Sequence, residues 1–86
     1  MEYNYKTNGT CSTAITFDIE DDIIKNVKFT GGCNGNLKAL SRLVDGMSVD
    51  EIENKLKGIT CGWKNTSCSD QLARAVRRAY NESKEN

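Results

Sequence analysis

The spacing of apolar residues changes once along this chain, and that change limits the folds open to it. Up to Gly31-Gly32 apolar side chains recur at every second position, and beyond it at every third or fourth. Tyr3 and Tyr5 share one face of a first strand that ends near Asn8-Gly9, a turn signal. Ile15, Phe17 and Ile19 share one face of a second strand, with Thr16, Asp18 and Glu20 opposite them. After the polar turn Glu20-Asp21-Asp22, a third strand is expected to turn Ile23, Val27 and Phe29 inward and to stop at Gly31-Gly32. The result is a three-stranded antiparallel meander with one buried face.

Helices follow. Leu37, Leu40 and Val44 keep helical spacing, Leu43 widens the stripe, and Gly46 is placed to end the element. Ser48-Val49-Asp50-Glu51 has the spacing of a capping box and predicts a short helix with Val49, Ile52 and Leu56 inward, ending at Gly58. The last helix starts between Thr66 and Asp70, buries Leu72, Ala73, Val76 and Tyr80, and carries Asp70 and Arg74 as an exposed pair four residues apart. The expected fold class is therefore α+β, a three-stranded antiparallel sheet followed by three helices packed on one face. Residues 1–80 form the domain and 81–86 a polar tail.

At 86 residues this is one domain with a modest core, the size at which a bound metal adds useful stability. Lys plus Arg equals Asp plus Glu, 12 each, so no overall field draws in nucleic acid or an anionic membrane. Arg74, Arg77, Arg78 and Lys84 read as the solvated face of the last helix. The opening MEYNYKTNGT has neither a cationic lead nor an apolar core, so the expected location is the cytoplasm, where thiols stay reduced.

The chain has no histidine, which removes the commonest general base and every mixed Cys/His zinc site. It has four cysteines, Cys11, Cys33, Cys61 and Cys68, separated by 22, 28 and 7 positions, with no C-x-x-C pair. Each falls at an end of an expected element, where a cysteine acting as a small hydrophobe would not be placed. Gly9, Gly32, Gly35 and Gly62 lie beside or near them. The partial positive charge of a helix N-terminus favours a thiolate at Cys68, and the same holds for Cys33 if it opens a helix. On the residues alone two readings stand, one shared metal or redox site and four unrelated reduced thiols. Trp63 either shields such a site or fills core, Lys64 either favours a thiolate or is a plain exposed lysine, and the acidic turn at Asp18–Asp22 reads as solvated.

Thr66-Ser67-Cys68-Ser69-Asp70-Gln71-Leu72 resembles the Thr-Ser-Cys-Pro-Asp signature of the TSCPD domain, with Ser69 in place of proline. Gly31-Gly32-Cys33-Asn34-Gly35-Asn36-Leu37 and the lone Cys61 fit the same family, and the similarity covers nearly the whole chain. That resemblance implies a small four-cysteine module related to the C-terminal domain of adenosylcobalamin-dependent ribonucleoside-diphosphate reductases. It also implies Zn or an iron–sulfur cluster held by Cys11, Cys33, Cys61 and Cys68, and a ribonucleotide reductase chain as partner.

A more distant similarity is to the NifU-type iron–sulfur scaffold, whose three cluster ligands match Cys11, Cys33 and Cys68. Thr13 stands where that family has an aspartate and Ser67 where it has a histidine, so Cys61 would supply a fourth ligand and close the site. The alternatives to a metal module are a thiol redox pair of Cys61 and Cys68 and a cluster-assembly scaffold. No glycine-rich phosphate loop of the Walker or dinucleotide kind is present, so the chain alone is expected to reduce no nucleotide.

Overall fold

The computed structural model describes residues 2–7, 12–31, 34–60 and 66–84. Three strands, β1 (Glu2–Lys6), β2 (Ser12–Glu20) and β3 (Ile23–Gly31), precede three helices, α1 (Asn34–Val44), α2 (Val49–Leu56) and α3 (Cys68–Lys84). The sheet is an antiparallel meander in the order β1-β2-β3. No helix among the described residues is long and apolar enough to cross a membrane.

The inward row of β2 is as the alternation requires, since Ile15, Phe17 and Ile19 are all buried. Tyr3 of β1 lies opposite Phe17, and their rings are 5.5 Å apart. The β2–β3 hairpin closes through Asp21 and Asp22, with Asp21 in the left-handed region at φ 55°. The expected turn at Asn8-Gly9 lies outside the described residues.

β3 departs from a strict period of two. Asp18 pairs with Lys25 and Thr16 with Lys28, so Asn26 and Val27 together face the single residue Phe17. This bulge puts Ile24 in the core beside Val27, and Ile23, expected inward, is only half-buried. Asn26 holds it in place. Its φ is 56°, which asparagine tolerates better than most side chains. Its N–H donates to Asp45 at 2.9 Å and its side-chain amide donates to Asp18 at 2.8 Å.

Leu37, Leu40 and Val44 turn α1 toward the core, but Leu43 is 70 % exposed and does not widen the stripe. A helical stripe spans only part of the circumference, and position 43 falls beyond it. Gly46, at φ 83°, then lets the chain fold back along β3, where its N–H donates to Ile24 and the N–H of Ile24 donates to Met47. These bonds cover part of an otherwise open strand edge.

The capping box of α2 is complete. Glu51 N–H donates to the Ser48 hydroxyl and Ser48 N–H donates to the Glu51 carboxylate. Ser48→Ala should therefore lower stability by about 1 kcal/mol, measurable by urea denaturation, with no change in the dependence on denaturant concentration.

α3 lies against both the sheet and α2, with Leu72, Ala73, Ala75, Val76 and Ala79 fully buried. The alanines allow close approach of the helix to its neighbours. Its outer arginines face acids: Arg77 is bound by Asp50 and Glu53, and Arg78 meets Glu82 through Nε. Lys84 sits over the ring of Tyr80, 4.6 Å from its centroid.

Candidate functional site

The start of α3 is where the chain's chemistry gathers. Gln71 N–H donates to the Ser67 carbonyl and Asp70 N–H to the Ser67 hydroxyl, which makes Ser67 the N-cap and Cys68 the first helical residue. Ser69 follows in the first turn, where backbone N–H groups have no partner within the helix. Serine and proline fit that position equally well, so the departure from the Thr-Ser-Cys-Pro-Asp signature costs the helix no hydrogen bond.

Asp70 is the centre of a buried polar network and not the exposed partner expected of it, being only 1 % exposed. One carboxylate oxygen accepts from the backbone N–H of Gly58 at 2.7 Å. The other accepts from the Thr66 hydroxyl at 2.5 Å and from Arg74 Nε at 2.9 Å. Gln71 donates to the Thr66 hydroxyl oxygen at 3.1 Å, and the Ser67 hydroxyl donates to the Ile59 carbonyl at 2.6 Å. Burial alone would raise the Asp70 pKa. Thr66, Gly58 and Arg74 outweigh it and hold the carboxyl below its ordinary value.

The residues Thr66, Ser67 and Asp70 thus clamp the segment that leaves α2 at Gly58 and Ile59 onto the head of α3. The Ser67-x-x-Asp70 spacing, that of a cap and its third residue, signals the start of the helix but not the return of Gly58 and Ile59 to it.

Cys68 is half-buried, and its sulfur lies 3.1 Å from the hydroxyl oxygen of Ser12 at the start of β2. Ser12 is itself buried and pairs across the sheet with Gly31, the last residue of β3. Of the four cysteines singled out in the sequence, Cys68 is described. Cys11, Cys33 and Cys61 lie outside the described residues, as do Trp63 and Lys64.

What the structure brings together is the chain beside each of them. Ser12 follows Cys11 in sequence, Gly31 precedes Cys33 by two residues and Ile59 precedes Cys61 by two. All three are linked directly or through Ser12 to the first turn of α3. Among the described residues no three Cys, Asp or Glu side chains are grouped to hold a metal. Within the acidic turn, Asp18 is already engaged by Asn26.

No curated protein and no solved structure matches the chain. The family model of the TSCPD domain, a domain associated with the C-terminal region of ribonucleotide reductases, matches residues 2–80. That match runs from β1 into the last turns of α3 and takes in the Ser67 cap, Cys68 and the Asp70 clamp, so the chain belongs to the TSCPD domain family.

Proposed function

We propose that this protein is a small metal-binding module in which Cys11, Cys33, Cys61 and Cys68 hold one Zn²⁺ or one iron–sulfur cluster, and that it serves a ribonucleotide reductase chain as an accessory. The observation that carries the reading is the contact of Cys68 Sγ with Ser12 Oγ at 3.1 Å. It sets the sulfur at the head of α3 against the residue next to Cys11. The Ser12–Gly31 pair and the Ser67–Ile59 bond draw the approaches to Cys33 and Cys61 to the same end of the fold.

The donor set fits the group. Four thiolates in tetrahedral array suit both zinc and iron–sulfur clusters, and a chain without histidine has no imidazole to compete with them. A bound metal of this kind contributes folding free energy. The residues around it have separate tasks: Ser67 and Asp70 fix where the helix starts, and Ser12 gives the Cys68 sulfur a hydroxyl neighbour that limits its orientation.

The accessory role rests on the family's association with reductases. Adenosylcobalamin enters only through that association, as a cofactor of the reductase chain. The cytoplasm, where thiols remain reduced, is the proposed location.

Elemental analysis and an absorption spectrum of protein purified without oxygen and without a histidine tag test the proposal. Stoichiometric zinc in a colourless protein, or iron with visible absorbance, is the expected result. Metal-free protein with an oxidisable thiol pair would replace this reading with that of a redox protein acting through Cys61 and Cys68.

A further inference from the structure

On the outer side of α2 and α3, four cations and two carboxylates share one groove. Lys57, Arg74, Arg77 and Arg78 line it with Asn81, Glu53 and Glu82. This excess of cations stands out in a chain whose total charge is zero. Arg77 is committed, bound by Glu53 and Asp50. The other three are not used up. Arg74 meets Asp70 and Arg78 meets Glu82 through Nε alone, which leaves both Nη groups of each without a partner among the described residues. The ammonium of Lys57 has no acidic partner among the described residues, and its side chain is exposed.

Arg74 and Arg78 stand one helical turn apart, so they present neighbouring guanidinium groups on one side of α3. Lys57 joins the groove from the end of α2. Guanidinium forks match the oxygen geometry of phosphate, lysine adds a point charge, and the Asn81 amide adds a neutral donor. Glu53 and Glu82 decide the size of the ligand. An extended polyanion lying along the groove would meet these carboxylates, whereas a compact dianion can touch the cations and avoid them.

We propose that the α2–α3 groove is a binding site for the head group of a phosphate monoester, held by Lys57, Arg74 and Arg78 with Asn81. The full chain is titrated with inorganic phosphate as the probe, at ionic strength fixed with sodium chloride, and followed by amide NMR. Saturable shifts confined to Lys57, Arg74, Arg78 and Asn81 and their neighbours are expected. Arg78→Ala and Lys57→Ala should each weaken binding about tenfold. Arg78 is 67 % exposed and Lys57 is on the surface, so the remaining amide spectrum checks that each variant is folded.

Phenyl phosphate should displace inorganic phosphate. A site that admits phosphate and rejects the ester overturns the monoester reading. The proposal also fails if no shifts saturate, if neither variant weakens binding, or if hexaglutamate moves these amides while phosphate does not.

Discussion

Asp70→Ala is expected to destabilise the protein by about 3–5 kcal/mol, because two donors lose a buried acceptor at roughly 1–3 kcal/mol each and the half-exposed Arg74 adds little. The substitution takes the acceptor from the Gly58 N–H and the Thr66 hydroxyl at a position only 1 % exposed, while Arg74, its side chain 53 % exposed, can turn to water. A domain of this length has roughly 5–10 kcal/mol in all, so the variant should melt at least ~15 °C lower and lie near its unfolding threshold. Thr66→Val removes one donor to Asp70 and the acceptor of the Gln71 amide, and should cost about 1–3 kcal/mol. Arg78→Ala, which breaks an exposed ion pair, should stay within ~0.5 kcal/mol. Urea denaturation of the three variants checks the order, and equal losses for Asp70→Ala and Arg78→Ala would sink the clamp.

The sign of the pH dependence follows from the lowered pKa. The Asp70 carboxylate contributes stability that is fully present above its unfolded value of ~3.9 and is lost as pH falls through its folded value. The stability gap between the protein and Asp70→Asn should therefore be full at neutral pH and narrow below about pH 4.

Asp70 also marks where the sequence stopped being informative. Its spacing to Arg74 reads as a surface pair because nothing local reveals that Gly58, twelve residues earlier, returns to meet the same carboxylate. The core row of β2 and the Ser48–Glu51 box were legible because each depends on neighbours within a few positions. The exchange of Ile23 for Ile24 was not, since the bulge is fixed by contacts of Asn26 with Asp18 and Asp45 from other segments. Leu43 reads as widening the stripe of Leu37, Leu40 and Val44, although the face of α1 is set by how it crosses β3. At the candidate site the start of α3 between Thr66 and Asp70 was readable, but the approach of Ser12 to the cysteine sulfur, 56 residues apart, was not.

Cys68→Ser should lose bound metal and, with it, much of the thermal stability, and Cys33→Ser should do the same. Serine is close to cysteine in size, so in the metal-free protein the exchange at Cys68 leaves Ser12 a hydroxyl partner in place of a sulfur and alters packing little. The difference should appear only with metal present. Structural zinc sites in small peptides contribute on the order of 10 kcal/mol to folding, and losing one of four thiolates should remove enough of this to lower the melting temperature by at least ~10 °C. A chelator should destabilise the unaltered protein by a similar amount and have little further effect on Cys68→Ser, because both remove the same interaction. Ser12→Ala, which leaves every thiolate in place, should weaken metal binding by only about tenfold. Metal content by elemental analysis and melting followed by circular dichroism read both arms. Full metal content in Cys68→Ser and Cys33→Ser would mean that these cysteines do not share a site, whatever the sequence family, and the Ser12–Cys68 contact would then be a packing contact between β2 and α3.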